Sequence, residues 1–397
     1  MRTSLEGKPL FRARTIGGDV QRLASYATIL SALLPYIRTS PLTSDVQPHF
    51  LIAFFGLYIW SRSSACYADR RALWAFALSL VYGLPLFLLG YVPYALGIAF
   101  VPVFTIFLLH EDRKLVDRCM KIASVIYALG CLVEVVGGRR WVDLFLANAR
   151  ASDTRGLHSF ASEPSYLAIV GLVLFTYFLW DQHGKAWVAI AIAIVLSSGA
   201  ITGIAPLLIV GALFSCSRLR LKHIAAFVAI AGLSGFLISQ VISSDSRLYR
   251  VLEIVRLGPS ALLDDVSAAN RLVRSVGPLY LAMKDSFLPH LYGDADRLFV
   301  GWSFITERAD PYIEGLSNLM SVLVYVFGFL AVPFLLIAIR GIVGRAFVLA
   351  TAAYLCVTNI SVATPYVCLI FALLYVRSGE RIEGRVERTG DSMVHLR

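Results

Sequence analysis

Apolar segments recur along this chain so closely that little remains to fold except helices set side by side. They lie at 23–37, 50–60, 72–89, 91–109, 119–136, 166–180, 186–196, 204–216, 224–242, 316–339, 346–357 and 362–376. A bilayer crossing takes about 20 mainly apolar residues, so the shorter segments must borrow their flanks. The pattern predicts an all-α, polytopic transmembrane helix bundle of about twelve spans. Composition agrees: hydrophobic residues make up 58% of the chain and charged residues 16%, against about 25% charged in soluble domains. A soluble globule of 397 residues with this makeup could not cover its own exterior. A soluble enzyme, a disordered regulator and a disulfide-built secreted domain are thereby excluded.

The net charge of +10 reads as topology. With the N-terminus inside, 23 of the 36 Lys and Arg residues fall on the inner side, and the short outer loops hold only Arg38. Lys and Arg are retained on the cytoplasmic side, and short loops report that bias best. The expected organisation is a cytoplasmic tail over 1–22, a bundle over 23–376 and a second cytoplasmic tail over 377–397. Residues 1–22 lack the short apolar core and small-residue cleavage site of a signal peptide. Two long outer, periplasmic loops are expected at 137–165 and 243–315. The second has apolar residues at helical intervals (Leu272, Val273, Val276, Leu279, Tyr280, Met283), which predicts a partly helical loop packed on the bundle. No basic helix with interleaved aromatics and no zinc-finger spacing points to nucleic acid. The six cysteines lie in or near apolar segments without ligand spacing and read as small apolar residues.

Candidate chemistry concentrates in the two outer loops. Arg155-Gly156-Leu157-His158 leads through Ser159, Phe160, Ala161 and Ser162 to Glu163-Pro164-Ser165 at the mouth of a span. Proline is tolerated in an opening helical turn, and a carboxylate is favoured at a helix N-terminus. The plain reading is a capped span with an interfacial arginine. The chemical reading is a site with Arg155 as fixed cation and Glu163 or His158 as polar partner. In the second loop Ser267, Arg271 and Arg274 share one helical face. Two guanidinium groups one turn apart need an anion between them, either Asp264 or Asp265 or a phosphate-bearing substrate, which Arg grips bidentately. Arg150 and His290 are further candidate contacts. The spacing of His49, His158 and His290 is not that of a metal site, and no metal or cofactor is expected. Asp294-Ala295-Asp296 is too short a match to carry weight. Ser197 to Gly203 marks a tight outer turn. Glu134 is nearly alone as an intramembrane charge, which argues against an ion-driven carrier.

Arg155-Gly156 followed by Glu163-Pro164-Ser165 at a span resembles the signature of Wzy-type bacterial polysaccharide polymerases and the related O-antigen ligases. Ser197-Ser198-Gly199 to Thr202-Gly203 is similar to that family's Ser/Thr-Gly stretch. Ser267 through Arg271, then Gly293, resembles the Ser-x-x-x-Arg and glycine elements of its large periplasmic loop, and Asn318 resembles its entry to the next span. The resemblance covers roughly 122–338, and its order carries more than any one motif. Two departures stand out. Ser317-Asn318 replaces the ligases' His-Asn pair, which tilts the reading towards polymerase, and the expected Gly-x-Gly is reduced to Gly293-Asp294-Ala295.

The resemblance implies a glycosyltransferase of the bacterial inner membrane. It would move a growing glycan from undecaprenyl diphosphate to an incoming lipid-linked repeat unit at the periplasmic face, without a metal. The departing diphosphate would be held by Arg155, Arg271 and Arg274, with Ser267, Arg150, His290 and Asn318 as substrate contacts. Glu163 or His158 would activate the acceptor hydroxyl, since an Arg stays protonated. Implied partners are the undecaprenyl-diphosphate-linked oligosaccharide, membrane lipid, a chain-length regulator and a flippase. Alternatives are an O-antigen-type ligase, a lipid-linked oligosaccharide flippase or other transporter, and a non-catalytic assembly partner.

Overall fold

The computed structural model describes residues 18–41, 48–63, 70–146, 156–181, 183–216, 279–280, 282–284, 286–289, 318–334, 336, 346–358 and 365–377. Among these the chain is helical, with no strand beyond one isolated bridge between Ile37 and Leu146. The helices are α1 (Gly18–Leu33), α2 (His49–Ser63), α3 (Arg70–Leu88), α4 (Val92–His110), α5 (Arg113–Gly137), α6 (Arg139–Asp143), α7 (Pro164–Trp180), α8 (Lys185–Ser197) and α9 (Ile201–Cys216). They continue with α10 (Leu319–Phe327), α11 (Ala346–Val357) and α12 (Pro365–Arg377). Eleven of the twelve apolar segments thus carry helix; the remaining one, 224–242, lies outside the described residues. By length and composition one described helix, α5, is long and apolar enough to cross a membrane.

Local chemistry explains where the helices depart from the apolar segments. Segment 23–37 stops being helical at Leu33 because Pro35 cannot continue the ladder and disfavours helix in the residue before it. α5 begins well before its apolar stretch, because Asp112 caps it by accepting from the Lys114 N–H at 3.0 Å. The expected helix over 316–339 is interrupted at Gly328, whose φ of +53° opens a 3-10 turn through Leu330.

Cross-helix contacts sort the helix ends into two sets. At the end from which residues 138–163 leave α5 (the loop end), the Tyr127 hydroxyl donates to Leu33 O at 3.0 Å and the Leu157 N–H to Ser197 O at 2.9 Å. At the opposite end (the tail end), Ser25 donates to Glu111 at 2.7 Å and Arg113 to Asp181 at 2.8 Å. Neighbours α1 and α2, α3 and α4, and α7 and α8 are therefore antiparallel hairpins. α7 is the central helix, buried along nearly its whole length against α5, α8, α9 and α11. The outward faces are apolar, with Phe54, Phe55, Leu80, Leu84 and Leu88 exposed. Between Lys121 and Glu134 α5 carries no charge, a stretch of about 20 Å of helix.

Candidate functional site

The loop end is organised around one buried carboxylate. Glu134 lies near the end of α5 and is 4% exposed. One of its oxygens accepts the backbone N–H groups of His158 and Ser159, at 2.9 and 2.8 Å. The other accepts from Arg139 Nε at 3.1 Å. Arg139 reaches Glu134 because Gly138, at φ +82°, breaks α5 and turns α6 back across its end. The Arg139 guanidinium also donates to Gly156 O at 3.2 Å. His158 is fully buried. Its Nδ1 donates to Ser159 O at 2.8 Å, and its Nε2 stands 3.2 Å from Asp143 Oδ1 and 3.7 Å from Glu134 Oε1. Glu134, Arg139, Asp143 and His158 therefore form one polar knot joining α5, α6 and the segment that follows Arg155.

That segment is fixed over its whole described length. Ser159 holds φ +50°, a backbone form that non-glycine residues keep only when their surroundings impose it. Here the surroundings are its N–H on Glu134 and its hydroxyl on Tyr127 O at 2.7 Å. Gly156 lies against the Ser198-Gly199 turn so closely that a Cβ would overlap the Ser198 carbonyl. Gly156→Ala is expected to cost about 1–3 kcal/mol, because backbone rather than a flexible side chain must give way. A lowered melting temperature of the purified protein in detergent would show it; an unchanged one would mean the approach is slack.

Glu163 takes the N-cap position of α7 and Pro164 its first turn, as the sequence predicts. The Glu163 side chain makes no capping bond; the Ser165 hydroxyl donates to it instead. Beside it Tyr36 stacks on Tyr166 with ring centroids 5.2 Å apart, and Tyr36 lies within electrostatic reach of Glu163, Tyr127 and Tyr366. Buried Ser162 Oγ, Thr202 Oγ1 and Tyr366 OH, all on loop-end residues, have no hydrogen-bond partner among the described residues.

Asn318 caps α10, accepting from the Ser321 N–H at 2.7 Å, while its Nδ2 has no partner among the described residues. Arg150, Arg155, Ser267, Arg271, Arg274 and His290 lie outside the described residues. Of the second loop, 279–280 and 282–284 are helical, Ala282 is fully buried and Phe287 O accepts from the Phe329 N–H at 2.8 Å. Sequence reasoning found His158 and Glu163 but not the anchoring roles of Glu134, Arg139 and Asp143. The available signal was Glu134 itself, since an isolated carboxylate in an apolar helix needs a partner and the next cations in the chain are Arg139 and Arg140.

One group of metal-ligating side chains comes together among the described residues, and it lies at the tail end: Asp117, Asp181 and His183. Arg377 stands 3.4 Å from Asp181, Arg113 donates to Asp181 at 2.8 Å, and the Tyr177 hydroxyl donates to Asp117. Two guanidinium groups stand against these carboxylates, so the cluster ties α5, the end of α7 and α12 together. A scan against protein-family models finds no match for this chain, and a search of curated proteins finds none.

Proposed function

We propose that the protein is a multi-spanning membrane glycosyltransferase that polymerises lipid-linked glycan repeat units at the outer face of a bacterial inner membrane. The apolar outward faces of α2 and α3 support a lipid environment, since a water-facing monomer rarely exposes apolar surface on this scale. Tail-end cations such as Arg62, Arg113, Lys114, Arg118 and Lys185 support placing that end and both termini on the cytoplasmic side. Eleven crossings follow if the described helices other than α6 span together with α5, and the apolar segment 224–242 of the sequence would supply a twelfth.

The observation that carries the reading is the polar knot at the loop end. It fixes the described stretch from Gly156 through Ser159, which leads to the Glu163 carboxylate at the head of α7. In the proposed reaction a hydroxyl of the incoming repeat unit attacks the anomeric carbon of the growing glycan. The bond from that carbon to the diphosphate oxygen breaks, and the lipid diphosphate leaves with the electron pair. Glu163 takes the hydroxyl proton, and Arg155, Arg271 and Arg274 stabilise the developing phosphate charge. Fully buried His158 serves here to hold the segment, through Asp143 and Glu134, rather than to meet substrate.

The test is reconstitution. Purified protein in proteoliposomes, given an undecaprenyl-diphosphate-linked repeat unit alone, is expected to yield a ladder of longer lipid-linked glycans. Transfer only to a different acceptor would establish a ligase. Movement of intact units across the bilayer without elongation would establish a flippase, and either result would replace the polymerase reading.

A further inference from the structure

We propose that α6 and the turn after it form a bilayer-contact element, seated in the headgroup and upper acyl region at the loop end. The inference rests on the membrane reading above but not on the polymerase chemistry. α6 is short and two-sided: Val142 is fully buried and Leu146 nearly so, while Trp141 is 60% and Leu144 67% exposed. Phe145 is exposed beside them, and Arg140 is exposed on the same short helix. The apolar side does not stand alone. It continues the outward stripe of α5 through Leu132 and Val136, the latter 79% exposed. Trp141 joins the two surfaces, because its ring lies directly against Gly137, 3.0 Å from where a Cβ would stand.

The choice of lipid as occupant follows from this composition and continuity. A tryptophan and apolar neighbours beside an arginine, just past the end of the uncharged stretch of α5, match the boundary between hydrocarbon and headgroup. Arg140 can extend its charge to lipid phosphate while its methylenes stay among apolar groups. A water-facing surface would gain nothing from exposing Trp141, Leu144 and Phe145 together. The consequence concerns the knot. α6 supplies both Arg139 and Asp143, the partners of Glu134 and His158, so the element seated in lipid also holds the segment after Arg155.

Fluorescence quenching in vesicles tests this. The chain would keep Trp141, with the other tryptophans (Trp60, Trp74, Trp180, Trp187 and Trp302) changed to Phe, in phosphatidylcholine vesicles brominated near the headgroup or near the chain end. The expected result is strong quenching by the shallow bromines, weak quenching by the deep ones and little by aqueous acrylamide, as for a side chain about 5–10 Å into the headgroup and acyl boundary. Quenching by acrylamide alone would place α6 in water, and protection from every quencher would place it against protein; either overturns the proposal. Leu84→Trp in a background without other tryptophans is the reference, because Leu84 is on the outward face of α3. If that residue also escaped the brominated lipids, the membrane reading itself would fail. Should the substituted background lose its fold, Leu144→Cys in the native chain, labelled with a polarity-sensitive fluorophore and compared with the unsubstituted chain, must show a blue-shifted emission in vesicles; an aqueous emission overturns the proposal equally.

Discussion

Glu134→Ala is expected to destabilise the protein by about 3–5 kcal/mol, the range for removing one partner of a buried ion pair. The loss is large because four groups depend on this carboxylate. Arg139 loses its counter-charge at 22% side-chain exposure, and the buried N–H groups of His158 and Ser159 lose their acceptor. Ser159 then has less to hold it in its left-handed conformation, and among the described residues His158 keeps Asp143 as its anionic neighbour. The expected readouts are a markedly lower melting temperature in detergent and new proteolytic cleavage between α6 and α7. Glu134→Gln separates charge from hydrogen bonding. Its amide oxygen can still accept one or two of the N–H bonds, so the expected cost falls to about 1–3 kcal/mol. Equal losses for Gln and Ala would show that the ion pair with Arg139 does the holding; no loss in either would remove the knot from the description of the site.

Arg155→Ala and Arg271→Ala are each expected to lower polymerisation by about a hundredfold or more, the effect of deleting one preorganised donor facing a developing negative charge (about 2.7–4 kcal/mol). Lipid-linked single repeat units should accumulate at the outer face, while protein level and melting temperature stay unchanged. Arg271→Lys should recover little, because a point charge does not reproduce the planar fork that grips two phosphate oxygens. Full activity in Arg155→Ala would sink the diphosphate-gripping role. Repeat units retained on the inner face would instead point to transport. The two tests separate cleanly: Glu134 acts through stability and placement, whereas the arginines are proposed to act on the rate alone.

Much of this architecture was legible because its causes are local. A run of apolar residues must bond its own backbone, and helix is the way to do so within one segment, so the segments at 72–89, 91–109, 186–196 and 346–357 match helices almost end for end. Glu163 and Pro164 opened α7 as their capping chemistry requires. The boundary shifts also had local causes, in Pro35, Asp112 and Gly328, each visible in the sequence but outweighed by the apolar count.

The candidate site was legible only in part. The stretch containing His158 and Glu163 stood out as polar residues before a span. That Glu134 would bind two backbone N–H groups of this stretch, with Arg139 and Asp143 closing the knot, could not be read from spacing, because His158 and Glu134 are 24 positions apart in the chain.

By itself, then, the sequence determined the helical class, the positions of the helices and the residues that open them, since propensity, capping and the proline and glycine stops act within a few residues. The tertiary structure alone decided that α7 is central, that α6 folds back over α5, and which cation answers the buried carboxylate. The reason is that α7 is apolar on every side. A helix without a polar face carries no record of what it packs against, and the partner of a buried charge is chosen only when the helices are brought together.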